Sequence, residues 1–138
     1  AWAMGGVSGH AGLFSTAVDL AVYARMLLNR GSYKDARILS PRSIELMTSL
    51  QTGGLNESRG LGWLLQAENN FSAGDMLSES AFGHTGFTGT SLWIDPYYEL
   101  IVILLTNRVH PTRARGAGEI QRIRGRINNL AVGAIADE

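Results

Sequence analysis

The chain has 138 residues, 45% of them hydrophobic and 17% charged, which is one domain's length and an ordinary globular composition, so wholesale disorder and a fibrous repeat are excluded. Twelve basic residues balance twelve acidic ones, which disfavours a strongly basic nucleic-acid surface or an acidic tail. There is no cysteine, which removes disulfides, thiolate metal sites and cysteine nucleophiles and leaves the redox compartment open.

The opening Ala1-Trp2-Ala3-Met4-Gly5-Gly6 carries no initiator Met and no charged-then-apolar leader, and it reads like the middle of something longer. Gly5, Gly6, Gly9 and Gly12 mark a shaped loop. Ser15 or Thr16 can cap a helix, and Asp19 lies three residues after Thr16, as in a capping box. Leu20, Tyr23, Ala24, Leu27 and Leu28 then recur at helical spacing, and Gly31 suits the left-handed cap. A second helix starts at Ser40-Pro41 and turns Ile44, Met47 and Leu50 to one face. Thr52 to Arg59 reads as loop.

From Gly60 the period changes to two. Leu61, Trp63 and Leu65 predict a strand. Residues 67–79 predict a surface excursion. Ser80 to Thr85 and Thr90 to Ile94 predict two strands joined by Gly86-Phe87-Thr88-Gly89 and closed by Asp95-Pro96. The apolar run from Leu100 to Thr106 suits a central strand covered on both faces, and it is far shorter than the roughly 20 residues of a membrane helix. A final helix from about Gly118 would bury Ile120, Ile123, Ile127, Leu130 and Ala134. The fold class is therefore α+β: an antiparallel sheet of three to four strands, with a C-terminal helix on one face and two N-terminal helices. The helical segment spans 1–58, and the sheet with its helix spans 59–138.

Several catalytic signatures are missing. Ser8 would need glycine two residues on for a nucleophile elbow, and position 10 is His10. Ser-x-x-Lys cannot be formed, because the only lysine is Lys34 and position 31 is glycine; Tyr-x-Asn and Ser-x-Asn do not occur. His10, His84 and His110 are scattered, so no metal site is expected, and no cofactor motif is present. The informative stretch is Phe82-Gly83-His84-Thr85-Gly86-Phe87-Thr88-Gly89-Thr90-Ser91-Leu92-Trp93. It puts a titratable ring, a hydroxyl and free backbone N–H groups at a sheet edge, the parts of an oxyanion site. The alternative is a glycine-rich hairpin with incidental polar residues.

That stretch resembles the Lys-Thr-Gly motif of the penicillin-recognising serine hydrolases, a family of class C-type β-lactamases, DD-peptidases and esterases, with histidine in place of lysine. Gly9-His10-Ala11-Gly12-Leu13-Phe14-Ser15-Thr16-Ala17 followed by Asp19-Leu20 is similar to the family's Gly-Gly-Leu-x-Ser-Thr-Ala-x-Asp-Leu segment, and Leu100 to Asn107 to its apolar strand ending in Asn. The resemblance covers nearly the whole chain and implies a partial β-lactamase/transpeptidase-like fold. It also implies a C-terminal portion of a hydrolase whose serine and base lie upstream, inactive alone.

By resemblance, His84 lines the floor of the active site, Thr85 offers its hydroxyl to substrate, Gly86 keeps the strand edge open, and the Phe87 backbone N–H completes the oxyanion hole. The alternative for His84 is a hydrogen-bonded structural histidine. A histidine of ordinary pKa is mostly neutral at pH 7, which favours a neutral ester or amide over a β-lactam-like substrate bearing a carboxylate. The implied partners are such a small molecule, no nucleic acid, and a second copy: without a neighbour, the 100–106 strand is an open edge that invites a homodimer or swapped oligomer. His10 is assigned to loop packing, His110 to a surface loop, and Arg113, Arg115, Arg122, Arg124 and Arg126 to a solvated helix face. A non-catalytic binding module that kept the scaffold, or a small protein that joins a separate chain carrying the serine, are the other functional readings.

Overall fold

In the computed structural model, residues 2–67, 70–114 and 116–135 are described. Thr16 caps α1 (Ala17–Leu28): its Oγ1 accepts the Asp19 N–H at 3.1 Å and donates to the Asp19 carboxylate at 3.0 Å. The helix ends where Arg30 and Gly31 take positive φ and the Gly31 N–H reaches back to Met26 O. A Cβ on Gly31 would collide with the Leu39 backbone, so glycine is required there twice over. A short hairpin follows, β1 (Ser32–Tyr33) and β2 (Ala36–Arg37), turned by Lys34-Asp35. It has no counterpart in the sequence pattern, because two residues per strand leave no periodicity to see. Ser40 caps α2 (Pro41–Thr48), with Pro41 at the first helical position. Ile44 is buried, but the helix stops before Leu50, which is exposed.

The main sheet is antiparallel, in the order β3 (Leu64–Leu65), β4 (Phe82–Thr85), β5 (Ser91–Asp95) and β6 (Leu100–Leu104). The strand expected from Gly60 is much shorter. Gly62 takes a positive φ and Leu61 is exposed, so only Leu64 and Leu65 pair with β4. β6 stands at the end of the sheet, not at its centre. Its apolar run is nonetheless explained, since Ile101 packs on one face and Leu100 and Val102 on the other.

The two faces carry two cores. α1 and α2 bring Ala24, Met26, Leu27 and Ile44 onto Trp63, Phe82 and Ile94. Trp63 meets Phe82 edge-on at 5.3 Å and stacks on Tyr23 at 6.4 Å. The opposite face buries Trp93 and Val102 under Ala73, Leu77, Ala81 and Val132 of α3 (Ala117–Gly133). The packing of Trp93 on β4 depends on Gly83, because a Cβ there would strike the indole.

Two expectations fail on this face. The segment expected as a surface excursion is anchored within its described part, 70–79, where Ser72, Ala73 and Leu77 are buried; residues 68 and 69 lie outside the described residues. Asn128 donates to Ser72 O and Ala73 O, both at 3.0 Å, and Asn129 accepts from the Asp75 and Met76 N–H groups. The buried face of α3 is also rotated from the predicted stripe. Ile120, Arg124, Gly125, Asn128 and Val132 are buried, while Ile123, Leu130 and Ala134 face solvent.

Asp95 locks the end of β5. Among the described residues its fully buried carboxylate has no cation partner, and it accepts from Ser78 N–H (2.7 Å), Ser78 hydroxyl (2.6 Å), Tyr97 N–H (3.0 Å) and Tyr98 N–H (3.4 Å). Asp95→Ala strands these donors and should lower stability by about 2–4 kcal/mol, with Asp95→Asn costing less. Urea unfolding followed by circular dichroism measures both; equal midpoints for Asp95→Ala and wild type would contradict this account.

Candidate active site

The four predicted residues stand together on one strand and its turn. β4 runs into Gly86-Phe87-Thr88-Gly89, which returns as β5, with His84 opposite Leu92 and Thr85 opposite Ser91. On its other side β4 pairs with β3 only through Phe82 and Gly83. Among the described residues the outer edge at His84 and Thr85 is therefore open, and the neighbouring chain bends at Gly62, which takes a positive φ. Gly86 is also constrained from inside the turn. It leaves room for Thr90, whose hydroxyl a Cβ at position 86 would strike.

His84 is exposed, and its ring is fixed by two contacts. Nδ1 lies 2.9 Å from Thr85 O, and Nε2 lies 3.4 Å from Arg59 Nη1. A carbonyl only accepts and a guanidinium only donates. The neutral ring that fits both carries its proton on Nδ1 and presents its Nε2 lone pair to Arg59. Arg59 is in turn paired with Glu57, Nε to Oε2, at 2.6 Å. Arg59 and Glu57 lie in the loop just before β3, a segment with no periodic signal, and neither was among the predicted site residues. A cation therefore stands beside His84.

A cavity of about 630 Å³ opens at this edge, lined among others by Glu57, Arg59, Asn70, Phe71, Thr85 and Gln121. Its polar walls come from four separate parts of the chain: the 56–59 segment, Asn70 and Ser72, Thr85 of β4, and Gln121 of α3. Thr85 alone of its lining was predicted.

The turn itself is held from behind. Gly86 O accepts from Gly89 N–H (3.1 Å) and Arg124 Nη2 (2.7 Å), and Phe87 O from Arg108 Nε (2.8 Å). Thr88 O accepts from Arg108 N–H (2.8 Å), Gly89 O from Arg124 Nε (3.3 Å), and Thr90 O from Gly86 N–H (2.7 Å) and Arg124 Nη2 (2.8 Å). All five carbonyls are engaged. Among the described residues, the Phe87 N–H has no acceptor. The Phe87 ring is 66% exposed and lies near two guanidinium groups, Arg108 at 4.8 Å and Arg113 at 5.9 Å.

Arg124 corrects the expectation of a solvated arginine face: it is 3% exposed, because α3 turns it inward to the turn. Burial lowers its pKa from the usual arginine value, and the nearby Arg108 charge lowers it further. Arg113, Arg122 and Arg126 are exposed, and Arg115 lies outside the described residues. His10 sits in the exposed N-terminal loop, its own N–H on Ser8 Oγ, and His110 is exposed in the loop after β6. Among the described residues no three His, Asp or Glu side chains gather as metal ligands, and no helix is long and apolar enough to cross a membrane.

The family model described as Beta-lactamase matches residues 1–124. An N-acetylmuramyl-L-alanine amidase of Bacillus subtilis (strain 168) is 40% identical over 111 residues, 79% of this chain and 25% of that protein. A protein of Escherichia coli (strain K12), named as a candidate D-alanyl-D-alanine carboxypeptidase, is 36% identical over 111 residues, again 79% of this chain and 25% of that protein. The crystal structure of a β-lactamase from Mycobacterium bovis superposes with a TM-score of 0.67 at 25% identity, covering 86% of this chain and 44% of that one. The chain thus spans about a quarter of the length of the curated relatives it matches.

The two contacts of the His84 ring carry a spectroscopic expectation. A long-range ¹H–¹⁵N spectrum of the neutral form should show the Nδ1–H tautomer, and Arg59→Gln should raise the share of Nε2–H by releasing that lone pair. An Nε2–H tautomer dominant in the wild-type chain would refute the assignment.

Proposed function

The chain belongs to the Beta-lactamase family, and from that premise we propose that it forms one wall of an acyl-transfer site for the hydrolysis of an ester or amide. The observation that carries the proposal is the unpaired Phe87 N–H beside the open edge at His84 and Thr85. A serine hydroxyl gives its proton to a base on the upstream segment as its oxygen bonds to the substrate's carbonyl carbon, and the carbonyl π electrons move to oxygen. That oxyanion accepts from the Phe87 N–H and from a second donor on the serine's own segment. Collapse expels the amine or alcohol with a proton and leaves an acyl-enzyme, and water then releases the acid.

Within this site Thr85 offers a hydroxyl to substrate lying along the edge of β4, and the cavity beside it receives the flanking group. His84 sets an imidazole, with one nitrogen on Thr85 O and the other beside Arg59, where the family's motif has a lysine. Arg59 modifies the substrate class that histidine alone suggests, because a guanidinium at 3.4 Å tolerates a carboxylate-bearing substrate as well as a neutral one. The name of the Bacillus subtilis amidase favours an amide.

The nucleophile is outside the chain. Lys34 is the only lysine, with glycine three residues before it, so Ser-x-x-Lys cannot be built here. Removal of the nucleophile from such a unit costs orders of magnitude in rate. The chain alone should therefore turn over neither nitrocefin nor a fluorogenic ester, whereas a reading frame that adds an upstream Ser-x-x-Lys and Tyr-x-Asn should give an acyl-serine visible as a mass increment. Saturable turnover by the chain alone with a labelled serine would sink the proposal, as would a longer product that never acylates.

We infer in addition that the free edge of β6 pairs with a second copy. Among the described residues β6 has a strand on one side only, and Leu105 at its end is half exposed. Sedimentation velocity at rising concentration should show a dimer; a strict monomer throughout counts against it.

A further inference from the structure

Arg124 is buried on α3, and among the described residues no carboxylate pairs with it. Its partners are Gln121 Oε1 at 3.2 Å and the main-chain carbonyls of Gly86, Gly89 and Thr90. A buried guanidinium is costly unless its donors are satisfied, and here three carbonyls on a single turn satisfy it. The geometry of a trans peptide gives this arrangement a directional consequence. Gly86 O and the Phe87 N–H belong to one peptide unit and point to opposite sides of it. Drawing Gly86 O toward α3 therefore drives the Phe87 N–H away from α3. Arg108 acts in the same way on the next unit, since its Nε holds Phe87 O and thereby orients the Thr88 N–H. A charged donor on a carbonyl also polarises its amide, which strengthens the N–H on the far side as a donor.

We propose that Arg124 is a positioning residue of the oxyanion site: its grip on Gly86 O and Thr90 O holds the Phe87 N–H unpaired, outward and polarised for the developing negative charge. The oxyanion part of this proposal rests on the acyl-transfer function proposed above; the orientation of the turn does not. Lysine cannot replace arginine here, because one ammonium does not present the planar fork that spans carbonyls from three residues.

The test has two arms. In the chain itself, Arg124→Lys should shift the Phe87 amide ¹H resonance and raise exchange of the Gly86 and Gly89 amides by about ten-fold, while β5 and β6 amides keep their protection. Arg108→Gln should move the Thr88 amide and leave Phe87 nearly in place. If Arg124→Lys fails to fold, the wild-type chain still decides: hydrogen-bond scalar couplings from the Arg124 guanidinium to the Gly86 and Thr90 carbonyls should be present, and their absence overturns the proposal.

In the complete hydrolase, Arg124→Lys should lower kcat about a hundred-fold with KM little changed, as expected for a misplaced transition-state donor. A shifted Phe87 amide with wild-type kcat overturns the oxyanion role, and an unshifted amide in a folded Arg124→Lys chain overturns the positioning. A wild-type hydrolase that never acylates instead overturns the acyl-transfer function, and the amide measurements still decide the positioning.

Discussion

The structure turns on strand β5, which has to satisfy two cores at once. Trp93 points into the core under α3, and Ile94 points into the core under α1 and α2, both with no exposed surface. Successive residues of a strand face opposite ways, so five residues dictate where both helical layers sit. A slip of one residue would exchange the two faces and place Ile94 where the indole belongs. Gly83 fixes the register from the neighbouring strand, because only a residue without Cβ lets the indole lie against β4. The same pairing sets His84 opposite Leu92 and Thr85 opposite Ser91. Core packing thereby decides the height at which the polar edge emerges.

Three polar side chains inside the molecule follow a common rule. Asp95, Arg124 and Asn128 are each at most 3% exposed, and among the described residues none is satisfied by an opposite charge. Each binds main-chain groups of loops or turns, apart from one hydroxyl and one amide partner: Asp95 those of Ser78 and of the adjoining 97–98 turn, Arg124 the 86–90 turn, Asn128 the 72–73 loop. Loops carry backbone groups that no ladder satisfies. Buried side chains that provide the missing partners tie those loops to the layers, and turns around the candidate site gain fixed geometry without secondary structure of their own.

How much was legible in the sequence follows from this division. The capped starts of α1 and α2, the two strands flanking the glycine turn and the α+β order come from local chemistry, and all appear where local chemistry puts them. His84, Thr85, Gly86 and Phe87 are contiguous, so their grouping at one edge needed only the strand-turn-strand pattern. The errors share one cause. Apolar periodicity cannot see a buried face made of Arg124, Gly125 and Asn128, so the stripe on α3 was read in the wrong phase. Residues 67–79 lack any period, yet Ala73 and Leu77 fill the core because Asn128 and Asn129 hold the backbone around them. Arg59 meets His84 across 25 positions in sequence, and no spacing rule reaches that far.

The one lysine has a practical consequence of its own. Lys34 sits in the two-residue turn between β1 and β2, at positive φ, with its amine 5.6 Å from the ring of its neighbour Tyr33. Every other basic side chain apart from histidine is a guanidinium, which does not react with amine-directed esters under mild conditions. Within these 138 residues, a dye, a biotin or a solid support attached through a side-chain amine therefore joins at Lys34 alone. That point is a hairpin tip outside the main sheet, so such a conjugate leaves the β4 edge unmodified.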